Sequence, residues 1–372
     1  MFLYVTSAFG AKNDNGRSMF KFNELQQIHL EITNNCQASC PMCSRNIHGG
    51  LDNPLITSAG WTIDDFKAVM TPEVFQQIRS FYFCGNFGDP ILNNDLIKMC
   101  EYAKETAPGM PVRIHTNGSA RSVSWWKQLA NAMPDKNGIV FALDGLANTH
   151  SIYRIGTDFD TIIRNAKAVI EEGIETEWVF IRFKHNEHQV EEARQMSKDL
   201  GFTTFTVKNS SRFLLESQYP VLNKQGDPIY YLEPSSDNKM VFIDKKVIEN
   251  YKQVMDTMEI DCYAQKEREL YIDAYKNVFP CCWLSSIPYN YIEDNPLSSV
   301  RYEIRNEYTD LMNTLGSVNA VDNSIKDIIN SEPWQTCWTE YWTTKKLITC
   351  ARTCGRSNKI SFAQPRDQKE DV

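Results

Sequence analysis

Three cysteines, Cys36, Cys40 and Cys43, stand in the stretch Ile28–Cys43 (IHLEITNNCQASCPMC) with the spacing C-x3-C-x2-C. Three thiolates on one short loop can hold three irons of a [4Fe–4S] cube and leave the fourth iron open. A cluster that only carries electrons takes four protein ligands, so an open iron points to chemistry on a bound molecule. The same loop could instead hold a structural zinc, with His48 as the fourth ligand. Cysteine density rises again from Cys262 onward, with Cys281, Cys282, Cys337, Cys350 and Cys354. Cys84 and Cys100 read as packed apolar residues, although Cys84 adjoins a glycine loop and could face a cavity.

The loop has to be positioned by something rigid. It follows an apolar, strand-like run at Gln27–Ile32. Further runs of that kind lie at Ser80–Gly85, Pro111–Thr116, Gly138–Gly145, Glu177–Phe183 and Thr203–Lys208. Amphipathic helical stretches separate them at 62–79, 93–106, 122–132, 158–172 and 187–199, the last capped by Asn186 and stopped by Gly201. Strictly alternating strands and helices predict parallel βα units, and six of them make a partial (β/α)6 barrel. Chemistry on such a barrel gathers at the C-terminal ends of the strands, where the three-cysteine loop stands.

The chain of 372 residues has room for this barrel and an appended module. Residues 1–25 read as a polar lead-in, too short for a separate peptide-binding domain. Residues 26–208 are the barrel and 209–260 a loop-rich bridge with one helix near 245–258. Residues 261–360 form a cysteine-bearing module and 361–372 a frayed tail. The net charge of −8, with no basic cluster longer than Lys345–Lys346, argues against a nucleic-acid partner. No apolar run approaches the roughly 18 residues of a membrane span. The opening MFLYVTSAFGAK lacks the basic start and apolar core of a signal peptide, so a cytoplasmic location is expected. Eleven cysteines in such a chain point to metal ligands rather than disulfides.

The C-x3-C-x2-C loop resembles the signature of the radical S-adenosylmethionine enzymes, and the likeness runs through most of residues 26–208. It implies that an open iron chelates S-adenosylmethionine and reduces it to a 5′-deoxyadenosyl radical. Gly85-Asn-Phe-Gly-Asp-Pro90 is similar to the family's Gly-Gly-Glu-Pro segment, with Phe87, Gly88, Asp89 and Pro90 in its four places. That segment receives the cofactor's amino group; here Asp replaces Glu and Phe the first Gly. His115-Thr-Asn-Gly118 resembles the segment beside the ribose, making Thr116 and Asn117 candidate contacts, with His115 a packed strand residue. Leu143-Asp-Gly145 followed by His150–Gly156 resembles a stretch whose arginine, here Arg154, pairs with the cofactor's carboxylate. After the fifth strand, Asn186 and His188 either face the pocket or cap the helix. Met42 stands where the family places an aromatic residue near the adenine.

The C-terminal cysteines resemble the auxiliary-cluster modules called SPASM and twitch. Leu270–Pro280 reads as their β-hairpin, with Asp273–Asn277 in the turn, and Cys350-ARTCG-Gly355 as their closing C-x3-C element. The resemblance implies one auxiliary [4Fe–4S] cluster held by Cys262, Cys281, Cys350 and Cys354, with Cys337 as substitute; a four-cysteine zinc ribbon is the alternative. It also implies a flavodoxin- or ferredoxin-type electron donor. Three functions follow: modification of a ribosomally made peptide or a protein side chain, a small-molecule dehydrogenase or epimerase, and a non-catalytic metal-binding protein. An epimerase needs a thiol hydrogen donor, for which Cys282 and Cys337 are available.

Overall fold

The fold is taken from a computed structural model that describes residues 19–210, 212–213, 218–237, 251–291, 298–356 and 368–371. Six strands follow in order: β1 (Gln27–Leu30), β2 (Ser80–Phe83), β3 (Val112–Thr116), β4 (Ile139–Ala142), β5 (Thr176–Arg182) and β6 (Thr204–Asn209). Each lies parallel to the next. Parallel neighbours need a crossover, and helices such as Leu96–Thr106, Val123–Ala132, Phe159–Glu171 and Val190–Leu200 supply it. The alternation of side chains along each strand sorts the core. Phe81 and Phe83 point outward onto Phe66, with ring centroids 6.3 and 6.0 Å away. His29, Tyr82 and His115 point into the barrel, His29 stacked on Tyr82 at 4.4 Å and Tyr82 meeting His115 at a tilt at 5.7 Å.

Two helix expectations need correction. The single helix expected over 62–79 is two, Ile63–Val69 and Pro72–Gln77. Pro72 cannot continue a helix but suits the first position of a new one, which Thr71 caps by accepting from the Val74 amide. The helix expected from 187 begins at Val190 after a 3-10 turn, and Asn186 is not its cap. Gly201 ends it in the left-handed conformation, φ +87°, as expected.

The sheet continues beyond the barrel expected from the sequence. The C-terminal hairpin adds β7 (Glu269–Ile272) parallel to β1, and β8 (Val278–Phe279) antiparallel to β7. On the other edge β9 (Gln368–Asp371) pairs antiparallel with β6, so this part of the expected frayed tail is strand. The described residues thus give one nine-stranded sheet, mostly parallel. The hairpin turn closes as expected: the Asp273 carboxylate accepts from the amides of Tyr275 at 2.9 Å and Asn277 at 2.8 Å. Within the bridge, an antiparallel ribbon (Tyr219–Leu222 with Pro228–Leu232) lies over the cysteine loop, where the Leu222 amide donates to the His48 carbonyl at 3.0 Å. Of the helix expected near 245–258, Tyr251–Asp256 is helical and 245–250 lie outside the described residues.

Candidate functional site

The cysteine loop leaves the C-terminal end of β1 and is buried against Ala38, Met42, Tyr153, Phe183 and Phe213. Nitrogen donors aim at its sulfurs. The Ala38 amide lies 3.4 Å from Cys36 Sγ, Asn117 Nδ2 3.6 Å from the same sulfur, and Arg154 Nη1 3.9 Å from Cys40 Sγ. Burial pushes the Cys40 thiol up to about 11, with the nearby Arg154 charge opposing and Cys43 and Asp144 adding to the rise. Burial likewise raises Cys36, helped by Asp89 and by the other two thiols. Three thiols on one loop, one buried and two half-buried, with N–H donors aimed at Cys36 and Cys40, are a donor set suited to iron, whose charge stabilises thiolates. Among the described residues no three His, Cys, Asp or Glu side chains converge as a site for one ion. His48 instead packs its ring on Tyr219 at 4.7 Å.

The Gly85–Pro90 loop fits the end of β2 against this cysteine loop with no room for side chains at two positions. A Cβ on Gly88 would sit 1.9 Å from the Thr33 carbonyl oxygen, and one on Gly85 2.2 Å from that of Gly88. The Gly88→Ala variant is therefore expected to lose roughly 2 kcal/mol or more of stability and to load iron poorly, measurable by thermal unfolding and iron content. Asp89 works as a clamp. Its buried carboxylate accepts from Thr116 Oγ1 at 2.8 Å, the Asn117 amide at 2.7 Å and the Ile91 amide at 3.2 Å, tying β2 to β3. Burial raises its pKa and these three bonds oppose the rise. Phe87 is buried with its ring 5.5 Å from that of Tyr289, on the C-terminal side.

Sequence reasoning missed Glu31, one residue past β1 and 2 % exposed. Its Oε1 accepts from the amides of Phe87 at 2.8 Å and Gly88 at 3.1 Å, and its Oε2 from the Tyr271 hydroxyl of the hairpin. One carboxylate thus holds the 85–90 loop and the C-terminal module to the barrel. The available signal was an acidic residue in the inward register of an otherwise apolar run. Burial pushes Glu31 up to about 7, from an ordinary 4.5, against the pull of those bonds. Because the folded value is the higher, its contribution to stability is full below about 4.5 and is lost as pH rises through about 7. Glu31→Gln keeps an acceptor for both amides, so relative to wild type it should gain stability between pH 5 and 8, by up to roughly 3 kcal/mol, in denaturant titrations.

At the end of β3, Asn117 Oδ1 accepts from Gln37 Nε2 at 2.7 Å, locking this strand to the cysteine loop. His115 is buried in the barrel and held neutral, its pKa lowered by burial to about 3, which fits a packed strand residue. Past β4, Arg154 Nε donates to Asp144 Oδ2 at 2.5 Å, and Asp144 Oδ1 accepts from the Ile181 amide at 2.6 Å. The arginine is thereby oriented with its Nη1 toward Cys40. Asn186 spends its side chain on the Asp144 and Ile181 carbonyls and the Phe183 amide, and His188 is exposed. Met42 is buried, with its sulfur 3.5 Å from Ser210 Oγ.

Far along the chain, Cys262, Cys281, Cys350 and Cys354 line one narrow cavity, walled otherwise by Trp283, Leu284, Trp338 and Trp342. The pairing of Ile260 with Gly355 brings the first and last together, and a hydrogen bond from Cys262 lowers the Cys354 thiol. Cys281 is extended (φ −156°, ψ 162°) and Cys282 opens a helical turn, so the two neighbours separate. Cys281 faces the cavity, whereas burial raises Cys282 with contributions from Cys84, Glu269 and Glu31 on the barrel side. Cys337 is absent from that lining and donates to the Trp334 carbonyl at 3.6 Å within its own helix. Cys100 is fully buried in the core, and Cys84 leans to the barrel side near Glu31.

Residues 30–200 match the family model of the radical SAM superfamily. Over 136 residues the chain is 25 % identical to the tungsten-containing aldehyde ferredoxin oxidoreductase cofactor-modifying protein of Pyrococcus furiosus. That match covers 36 % of this chain and 34 % of the relative, about a third of each. Among solved structures the chain is similar to Streptococcus suis SuiB bound to the precursor peptide SuiA (TM-score 0.53, 14 % identity), covering 85 % of this chain and 66 % of that one. It is also similar to anSMEcpe with bound AdoMet (TM-score 0.51, 14 % identity), covering 89 % and 86 %. At these identities the two structures speak for the fold. No helix among the described residues is long and apolar enough to cross a membrane.

Proposed function

We propose that this chain, which carries a radical SAM domain over residues 30–200, cleaves S-adenosylmethionine reductively and abstracts hydrogen from a peptide or protein side chain. The observation that carries the reading is the buried three-cysteine loop framed by Asp89, Asn117 and Arg154 at the mouth of the parallel barrel. When bound, the loop cluster and S-adenosylmethionine supply a primary carbon radical, and an auxiliary cluster supplies an electron acceptor or a substrate anchor.

The protein's own part is holding and shielding. Cys36, Cys40 and Cys43 hold three irons. Gly85, Phe87, Gly88 and Pro90 shape the backbone that meets the cofactor's amino group, with Thr116 and Asn117 alongside and Met42 near its adenine. Asp89 fixes that backbone rather than reaching out, because its carboxylate is already occupied. Arg154, aimed by Asp144, offers its outer nitrogens to the cofactor's carboxylate. Cys262, Cys281, Cys350 and Cys354 hold the auxiliary cluster, and the tryptophans around them exclude water. A flavodoxin- or ferredoxin-type protein donates the first electron, in the cytoplasm. The peptide substrate is supported by the fold shared with SuiB, whose structure contains a precursor peptide.

The test is to offer peptide pools to the anaerobically reconstituted protein with S-adenosylmethionine and dithionite. A peptide that loses two hydrogens, or changes stereochemistry, in step with 5′-deoxyadenosine release supports the reading. Deoxyadenosine release coupled only to small molecules would move it to a small-molecule dehydrogenase. A non-catalytic metal-binding protein would release none.

An epimerase reading draws on one observation, the barrel-side placement of Cys282. Such an enzyme should lose inversion completely in Cys282→Ala while still consuming substrate and keeping its iron. Unchanged product stereochemistry, read by chiral amino-acid analysis, would remove Cys282 from that role. Cys337, buried among tryptophans, has no comparable outlook.

A further inference from the structure

Beside the four-cysteine cavity lies a second one of about 200 Å³, and Trp283 and Thr349 line both. One wall is the loop from Met42 to His48, just past Cys43; the other comes from helices Ser298–Leu315 and Ile348–Cys354. The cavity therefore lies between the two cysteine sets. Its charged lining has one sign. Arg301, Arg305 and Arg352 face it, and among the described residues no Asp or Glu does.

Among the described residues the hydrogen bonds of these guanidiniums reach no carboxylate. Arg301 Nη1 donates to the Tyr291 carbonyl at 3.0 Å and Arg305 Nη2 to that of Asn290 at 2.8 Å, both neutral acceptors. Arg305 Nε is buried with no acceptor among the described residues. Neither has Asn46 Nδ2, on a residue 7 % exposed that lines the same cavity. A guanidinium cannot shed its proton, and three half-buried like charges facing one cavity are eased when an anion joins them. The auxiliary thiolates are not that anion, because none of the three arginines lines the four-cysteine cavity.

We propose that this cavity binds an anionic group of the substrate, a carboxylate or a phosphate, with Arg305, Arg352 and Asn46 as donors and Arg301 beside them. A planar fork takes either group through two parallel hydrogen bonds. The inference rests on the reading that a substrate is oxidised between two clusters. It narrows that substrate to one bearing an acid near the reacting carbon, such as a peptide with a Glu, an Asp or a free C-terminus.

The test is calorimetric titration of the anaerobically reconstituted full chain, at constant ionic strength, with inorganic phosphate and separately with N-acetylglutamate amide. Saturable binding of one anion per chain is expected, weakened about tenfold or more in Arg305→Gln, as for loss of a charged hydrogen bond. Which probe binds more tightly identifies the group. Arg352 sits between Cys350 and Cys354, and its loss could impair cluster loading, so Asn46→Ala serves as the second variant and should weaken binding several-fold. No saturable binding, equal binding in both variants, or displacement of the anion by S-adenosylmethionine would overturn the inference. Deoxyadenosine release measured on the same samples separates the two claims. Release without anion binding overturns the cavity assignment alone, and anion binding without release overturns the radical reading alone.

Discussion

Alanine in place of any one of Cys36, Cys40 or Cys43 should abolish 5′-deoxyadenosine formation, a loss of at least about a thousandfold, since no side chain can substitute for cofactor chemistry. The fold should survive. The three sulfurs belong to a small apolar cluster apart from the main core, and the loop keeps backbone ties such as the Ser39 amide to the Ile155 carbonyl at 2.8 Å. Iron content should fall by about four atoms per chain, because a cube deprived of one of three ligands has no fourth to fall back on. Replacement of His48, which packs on Tyr219, should leave iron and activity in place. A zinc site with His48 as ligand requires the reverse, that His48 and the cysteines fail together.

The second large effect concerns the C-terminal set. Alanine at Cys262, Cys281, Cys350 or Cys354 should remove about four further irons and stop substrate oxidation. Deoxyadenosine release uncoupled from substrate should persist, because the radical is made at the other loop. Cys282→Ala and Cys337→Ala should keep the full iron complement: one thiol faces the barrel side, and the other bonds within its own helix. The contrast between Cys281 and Cys282 is the sharpest form of this prediction. Adjacent residues should differ by an entire cluster, read by iron analysis and by the visible absorption of the reconstituted protein.

The sequence carried whatever depends on local pattern. Strand periodicity located all six barrel strands to within a few residues, since alternation and apolar runs are local signals. The hairpin turn was legible because Asp273 and Asn277 bond within five residues of each other. The break at Thr71-Pro72 has a local mark as well, a capping threonine followed by a proline that suits a first helical position.

What escaped was set by distance along the chain. β7 lies parallel to β1 with no local mark of that choice, and β9 (Gln368–Asp371) joins β6 (Thr204–Asn209) from far along the chain. Glu31 gains its meaning from Tyr271, 240 residues away. The arginine cavity likewise joins a loop near residue 45 to helices after residue 298. The preference for Cys281 over Cys282 came from the family resemblance; its physical basis, an extended residue followed by the first of a helical turn, is a boundary that composition does not resolve.

The most direct measurement is anaerobic reconstitution with iron and sulfide, followed by iron counting and a deoxyadenosine assay with S-adenosylmethionine and dithionite. Two four-iron clusters predict about eight irons per chain and release of 5′-deoxyadenosine. Zinc in place of iron, with no deoxyadenosine released, would contradict the account.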